Sequence, residues 1–287
     1  MNKPRAEKHP EMHATIPVIH HGEIMSTLDT QDLGVSIDDF VATVEIQRPP
    51  NNFFDIDLIE QIADTYEKID QIDSARAIVL CAQGKNFCAG ANFGASDSGN
   101  AKDSSRGELS NSLYRQAVRI FRAHTPVVAA VQGAAIGGGL GLAVSADFRV
   151  TCPEGRFSSN FTKLGFHPGF GLTVTLPELI GKQRASLLCL TSRRLNGEQA
   201  TAWGLADECV PLEKVRTQAE AMAREIAGCA PLATESTRRT LRLGLANRVA
   251  MQTDHELAEQ NSLRATQDWQ EGIKAAAERR EPSFVRR

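Results

Sequence analysis

Two short segments carry the residues whose spacing points to chemistry: KNFCAGANF at 85–93 and QGAAIGGGLGLAVSAD at 132–147. Each follows a short apolar run, ARAIVLCAQ and PVVAAVQG, and the second continues into an apolar stretch. A glycine-rich turn from strand to helix commonly holds a phosphate. Here Gly137, Gly139 and Gly141 are out of register for the dinucleotide fingerprint, and no Lys-Ser/Thr pair follows as a P-loop requires. What the turn does offer is a set of backbone N–H groups without helical partners and the positive end of a helix dipole. Those features stabilise a developing oxyanion. Ala89, Gly90 and Ala91 in the first segment are small enough to let a second N–H approach the same point. Two N–H donors from two loops form an oxyanion hole, the device for a carbonyl that becomes an enolate or a tetrahedral adduct. A tight turn between packed elements is the alternative for either segment taken alone.

The rest of the chain must position these loops. FVATVEIQRP alternates like a strand and LIEQIADTYEKID has helical spacing. ARAIVLCAQ and PVVAAVQG read as buried strands, with LYRQAVRIFRAHT as the amphipathic helix between them. This alternation predicts a parallel α/β arrangement. Residues 94–111, polar and small, read as a long surface loop, and residues 1–35 as a flexible arm. Beyond about 195 the chain is largely helical: NGEQATAWGL with Asn196 as N-cap, then KVRTQAEAMAREIAGCA, ATESTRRTLRLGLAN and DHELAEQNSLRATQDWQEGIKAAAERR. The mixed charges of this last third read as solvated faces.

Composition narrows the function. The 287 residues are 41% hydrophobic and 23% charged, ordinary for a globular protein with a sizeable core. A net charge of −3 argues against nucleic acid as a partner. No apolar run approaches the roughly 20 residues of a membrane span, and the N-terminus shows no apolar signal region. The six cysteines are scattered, which reads as reduced thiols in a cytoplasmic protein. His9, His13, His20 and His21 lack supporting cysteines or carboxylates, so no metal site is expected.

FCAGANF followed by QGAAIGGGLGLAVSADFRV resembles the paired signature of the crotonase family of enoyl-CoA hydratases and isomerases. The likeness extends to EIQRPPNNFF, LTSRRLNGEQATAWGLADECVP and WQEGIKAAAERREPSF, and so covers roughly residues 38–285. It implies a spiral of ββα units spanning 36–210, and a helical region at 211–287 that mediates assembly into a homotrimer or a hexamer of two trimers. It also implies an acyl-CoA thioester as substrate, coenzyme A entering as part of it and no separate cofactor. Carried over, the oxyanion donors are the N–H groups of Ala91 and Gly138. Asn52 and Phe53 on the adenine-side loop, Ala89, Gly90, Asn92, Phe93 and Gly137 would line the substrate site, with Phe161, Pro168 and Gly169 at its acyl end.

The family's hydratases use two glutamates to activate water, and those positions fall here on Gly141 and Phe161. The position that carries an acid in related isomerases and dehalogenases falls on Gly169. Addition of water needs a base and an acid, and none of these residues supplies either. His167 is the candidate base, with a turn residue pinned by Pro168 as the alternative reading. Asn160 and Ser159 can orient a carbonyl, and Asp97, Asp103 and Glu108 lie on the loop that covers the pocket in the family. Asp207 and Glu208 match a structural turn. The expected activity is an enolate-stabilising reaction on acyl-CoA, of the hydratase/isomerase type or another such as decarboxylation or thioester hydrolysis. Acyl-CoA binding without turnover is the alternative of a different class.

Overall fold

The computed structural model describes residue 28, residues 30–91 and residues 105–287, except for the side chains of 105–112. The arm histidines, Asn92, Phe93, Asp97 and Asp103 lie outside the described residues, as does the side chain of Glu108.

Six strands form the main sheet in the order β1 (Leu33–Asp38), β2 (Val41–Ile46), β3 (Ala77–Ala82), β4 (Val127–Val131), β6 (Phe148–Thr151) and β9 (Glu208–Cys209). β1 and β2 pair antiparallel, and every later pairing is parallel. A second sheet has the order β5 (Ala134–Ile136), β7 (Arg156–Ser158), β8 (Leu195–Asn196). The chain runs from a strand of the large sheet to a strand of the small one and then into a helix: β4, β5, α3 (Gly138–Ser145), then β6, β7, α4 (Leu172–Ile180). That is the expected spiral of ββα units.

Local sequence accounts for the elements. α1 (Ile56–Ile69) starts where the Asp55 carboxylate accepts the Leu58 N–H at 3.0 Å, and it buries Leu58, Ile59, Ile62, Ala63, Tyr66 and Ile69 at helical spacing. α1 packs on α2 (Ser105–Arg122). β3 is buried along its whole length because both faces are covered. Ile78 and Leu80 join the main core, while Ala77, Val79 and Cys81 face a second cluster. α5 (Lys182–Thr191) precedes α6 (Gly197–Trp203), which has the expected Asn196 cap, reciprocated by Gln199 in a capping box. α7 (Val215–Ala227), α8 (Pro231–Leu241), α9 (Leu245–Arg264) and α10 (Gln267–Glu278) complete the chain.

Two expectations are corrected. β1 begins at Leu33, inside the segment read as an arm. Only alternate residues of it, Leu33 and Val35, are buried, so its apolar signal is short. The 94–111 segment read as a loop turns helical at Ser105, with too few apolar residues in its first turns to show a period. In the helical region from 211 on, α7 covers the main sheet. Val215, Ala219, Ala223 and Ala227 pack on Val41, Val79, Val128 and Val150.

Candidate active site

The two glycine-rich segments meet at the ends of β3 and β4. Cys88 and Ala135 form a parallel bridge, with the Cys88 N–H donating to Ala134 O at 2.8 Å and the Ile136 N–H to Cys88 O at 3.1 Å. A Cβ on Gly139 would overlap Cys88 O, and one on Gly90 would stand 2.9 Å from Ile136 O. The glycines are therefore required by the approach of one backbone to the other. On its far side, the 88–91 segment pairs with the residues before α1: the Ala89 N–H donates to Asn51 O at 2.9 Å and the Phe54 N–H to Gly90 O at 3.1 Å. The Ala91 N–H donates to no backbone carbonyl among the described residues.

Gly137 caps α3 with φ +57° and ψ −121°, a conformation open to glycine, and its N–H donates to Ser158 O at 2.8 Å. Gly138 is the first residue of α3, so its N–H has no partner within the helix. All eight residues of α3 are buried and none is charged. At the other end of the helix, the Ser145 carbonyl accepts from Arg242 Nη2 at 3.0 Å and the Ala146 carbonyl from Arg149 Nη1 at 2.9 Å. Positive charge at this end suits the helix dipole, whose opposite pole lies at Gly138. The structure thus brings together Ala89, Gly90, Ala91, Gly137 and Gly138.

Aromatic rings surround the mouth of α3. The Phe54 ring lies where a Cβ on Gly138 would stand, and Phe54 and Phe170 meet edge to face at 5.9 Å. The Phe170 side chain fills the space beside Gly141. The Phe161 ring approaches Gly137 and meets Phe166 at 5.3 Å. Asn160 Oδ1 lies beside Gly137 as well. Asn52 is fully buried and its amide is engaged inside the protein, donating to Gln83 O and Asn86 O and accepting the Arg48 N–H. Its side chain shapes the loop and leaves no group for a ligand. Phe53 is half-buried, and its neighbour Phe54 is the ring that reaches α3.

His167 turns toward the C-terminal helices. Its Nδ1 lies 2.7 Å from Pro168 O, its ring meets His255 edge to face at 6.0 Å, and its carbonyl accepts from Gln260 Nε2 at 2.9 Å. Pro168 and Gly169 are buried in the same turn, where the Tyr114 hydroxyl and the Gln260 amide fill the space beside Gly169. Tyr114 donates to Gln260 Oε1 at 2.9 Å, and burial holds its pKa above the ordinary value. Cys88, within the first glycine-rich segment, is kept as a thiol because burial pushes its pKa up to about 12. Asp207 is structural, as expected: it accepts the Arg149 N–H at 2.7 Å, and its own N–H donates to Arg149 O. Sequence reasoning missed Phe54, Tyr114, Glu256 and Gln260. The available signal was the helical spacing of Val249, Thr253, Glu256 and Gln260, all buried on one stripe of α9.

Comparison with known proteins agrees with this fold. The sequence model of the enoyl-CoA hydratase/isomerase family matches residues 36–287. The chain is 29% identical over 250 residues to a 1,2-epoxyphenylacetyl-CoA isomerase of Escherichia coli, covering 85% of this chain and 95% of that protein. It is 32% identical over 253 residues to a probable enoyl-CoA hydratase of Mycobacterium tuberculosis, covering 88% and 98%. The crystal structure of an enoyl-CoA hydratase/isomerase from Pseudoalteromonas atlantica superposes with a TM-score of 0.78 at 28% identity, covering 89% of this chain and all of that one. A folded core, two apposed glycine-rich loops and this breadth of likeness lead to one assignment: the chain belongs to the enoyl-CoA hydratase/isomerase family of the crotonase superfamily.

Proposed function

We propose that the chain binds an acyl-CoA thioester and stabilises its enolate between the N–H groups of Ala91 and Gly138. The observation that carries this reading is the bridge between the two loops, with one N–H on each that has no backbone acceptor among the described residues. The Gly138 donor also sits at the positive end of a buried, uncharged helix, where its interaction with an anion is little screened. Ala89, Gly90 and Gly137 shape the hole. Phe161, Pro168 and Gly169 belong to the acyl end together with Phe54 and Phe170. Asn92 and Phe93 are assigned to the same pocket from the resemblance alone.

The reaction we infer is proton transfer at the acyl carbons, an isomerase-type step, in preference to hydration. The hydratase carboxylate positions hold Gly141 and Phe161, each packed against another phenylalanine. Between Ser158 and Gly171 the ionisable side chains are Lys163, exposed and paired with Glu281, and His167. His167 is therefore the proposed base. A second reading, binding without turnover, has its own support in the orientation of His167 toward Pro168 O and His255. Incubating the protein with 3-enoyl- and 2-enoyl-CoA substrates in deuterated water separates the two. Deuterium at the α or γ carbon supports the enzyme, and tight binding with no exchange supports the binder.

Assembly as a homotrimer or a dimer of trimers is part of the proposal. It is supported by the exposed Leu232, Leu241, Leu243 and Met251 on and between the C-terminal helices. The six free cysteines fit a reducing, cytoplasmic setting. No helix of the described residues is long and apolar enough to cross a membrane.

A further inference from the structure

Glu256 is a completely buried carboxylate on α9 that the proposed chemistry does not use. Both of its oxygens are engaged. Oε2 accepts the Gly171 N–H at 2.8 Å, and Oε1 accepts the Thr173 N–H at 3.1 Å and the Thr173 hydroxyl at 2.6 Å. Gly171 is the N-cap of α4 and has no side chain to satisfy the first turn, so Glu256 performs that task from another helix.

The residue before this clamp is Phe170, which adopts φ +61°, in the left-handed region that bulky side chains avoid. Such a conformation persists only where its surroundings fix it. Here the Gly171 N–H is tied to Glu256, Val249 of α9 lies against Gly171, and the Tyr114 hydroxyl fills the space beside Gly169. The result directs the Phe170 side chain onto Gly141 and its ring toward Phe54, the ring beside Gly138. A contiguous path thus runs from Glu256 to the mouth of the oxyanion helix.

We propose that Glu256 is a positioning residue for the acyl pocket: by clamping Gly171 and Thr173 it holds Phe170 on Gly141 and so sets the room left for the acyl group. This inference rests on the acyl-CoA reading given above. A carboxylate is suited to the role because two acceptor oxygens meet three donors. A glutamine would turn an NH2 group toward one of those donors.

The clamp responds to pH. Burial pushes the Glu256 pKa up to about 7, against the pull of Thr173 and Gly171, which donate to the charged form. The titratable groups that face it are His255 on α9, Tyr114 on α2 and Cys189 on α5, and His167 reaches the cluster through the His255 ring. Burial keeps Tyr114 and Cys189 protonated. Deprotonation of Glu256 restores its second full acceptor, so the clamp tightens as pH rises through that value.

The test is calorimetric titration of the full chain with octanoyl-CoA and with free CoA, on either side of the Glu256 pKa of about 7. In the wild type the octanoyl-CoA Kd, relative to that of CoA, tightens as pH rises. In Glu256→Gln this ratio weakens by about tenfold or more at the higher pH, loses its pH response, and leaves CoA affinity unchanged. His255→Asn retains the wild-type response. Thr173→Val, which removes the hydroxyl donor at nearly constant volume, shifts the ratio in the same direction and keeps the test open if the glutamine variant does not fold. A folded Glu256→Gln or Thr173→Val protein with the wild-type ratio at both pH values overturns the inference. A wild type that binds neither octanoyl-CoA nor CoA overturns the acyl-CoA reading itself.

Discussion

The side chain of Phe170 occupies the place a side chain on Gly141 would need: a Cβ built on Gly141 stands 2.6 Å from Phe170 Cβ. The two residues are complementary across the gap between α3 and the turn before α4. Gly141→Ala should therefore cost about 1–3 kcal/mol by overpacking, and Phe170→Ala about 3–5 kcal/mol by leaving a cavity. Combined, they should cost less than their sum, because each relieves the other. Denaturant melts of the three variants measure the coupling. Strict additivity would mean that the two side chains do not compete for one space.

The same packing bears on hydration. On the proposed reading the two hydratase carboxylate positions fall on Gly141 and Phe161, each packed against a phenylalanine, and neither residue can activate water. Crotonyl-CoA hydration should run orders of magnitude below the typical enzymatic range of roughly 1 to 10³ per second. Loss of the enoyl absorbance at an ordinary enzymatic rate would refute the assignment.

Gly138 can be tested without disturbing the helix. It stands at the first helical position, where proline fits the backbone and removes only a free N–H. The added ring atoms would meet Phe54, so the comparison belongs in a Phe54→Ala background. There, Gly138→Pro should lower the isomerase or exchange rate by about 10²–10³-fold, with the circular dichroism spectrum unchanged. An undiminished rate would remove Gly138 from the oxyanion hole.

For His167 the decisive measurement separates rate from affinity. His167→Ala should reduce proton exchange at the acyl carbons by about 10²–10⁴-fold, while acyl-CoA affinity stays near the wild-type value because Ala91 and Gly138 are untouched. Full exchange activity in the variant would leave His167 as a turn residue, held by Pro168 O and Gln260.

The legible parts of this protein were those where a residue type is forced by backbone geometry. Gly138, Gly139 and Gly141 are required because Phe54, Cys88 and Phe170 come so near, and that need appears as a motif. β3 and β4 were legible because burial on both faces leaves an unbroken apolar run. The choice between Phe53 and Phe54 was not legible, since adjacent residues before a helix point to different sides and the sequence gives no phase. The C-terminal charges misled for another reason. Arg238, Arg242 and Glu256 read as solvated faces, but they are largely buried, the two arginines sharing the Asp147 carboxylate at 2.8 and 2.9 Å and Glu256 serving as a helix cap. Hydropathy cannot distinguish a buried charge with a partner from an exposed one.

Glu256 also makes stability depend on pH, in a direction opposite to the usual carboxylate. Its folded pKa of about 7 lies above the ordinary 4.5, because burial penalises the charge more than its three donors compensate. The folded state therefore holds a proton that the unfolded state has already released, and stability falls as pH rises between those two values. The contribution is fully present below about 4.5 and is lost as pH climbs through about 7. The whole span corresponds to a loss on the order of 3 kcal/mol. Octanoyl-CoA affinity and fold stability should thus move in opposite directions, since the charged clamp orders the Phe170 turn while its burial burdens the fold as a whole. The measurement is the difference in unfolding free energy between the wild type and Glu256→Gln across this pH range. This difference cancels the contribution of groups common to both proteins that are not coupled to residue 256. It should shift against the wild type as pH rises and level off above neutrality. A difference that stays constant across the range would mean that Glu256 is ionised, or protonated, throughout.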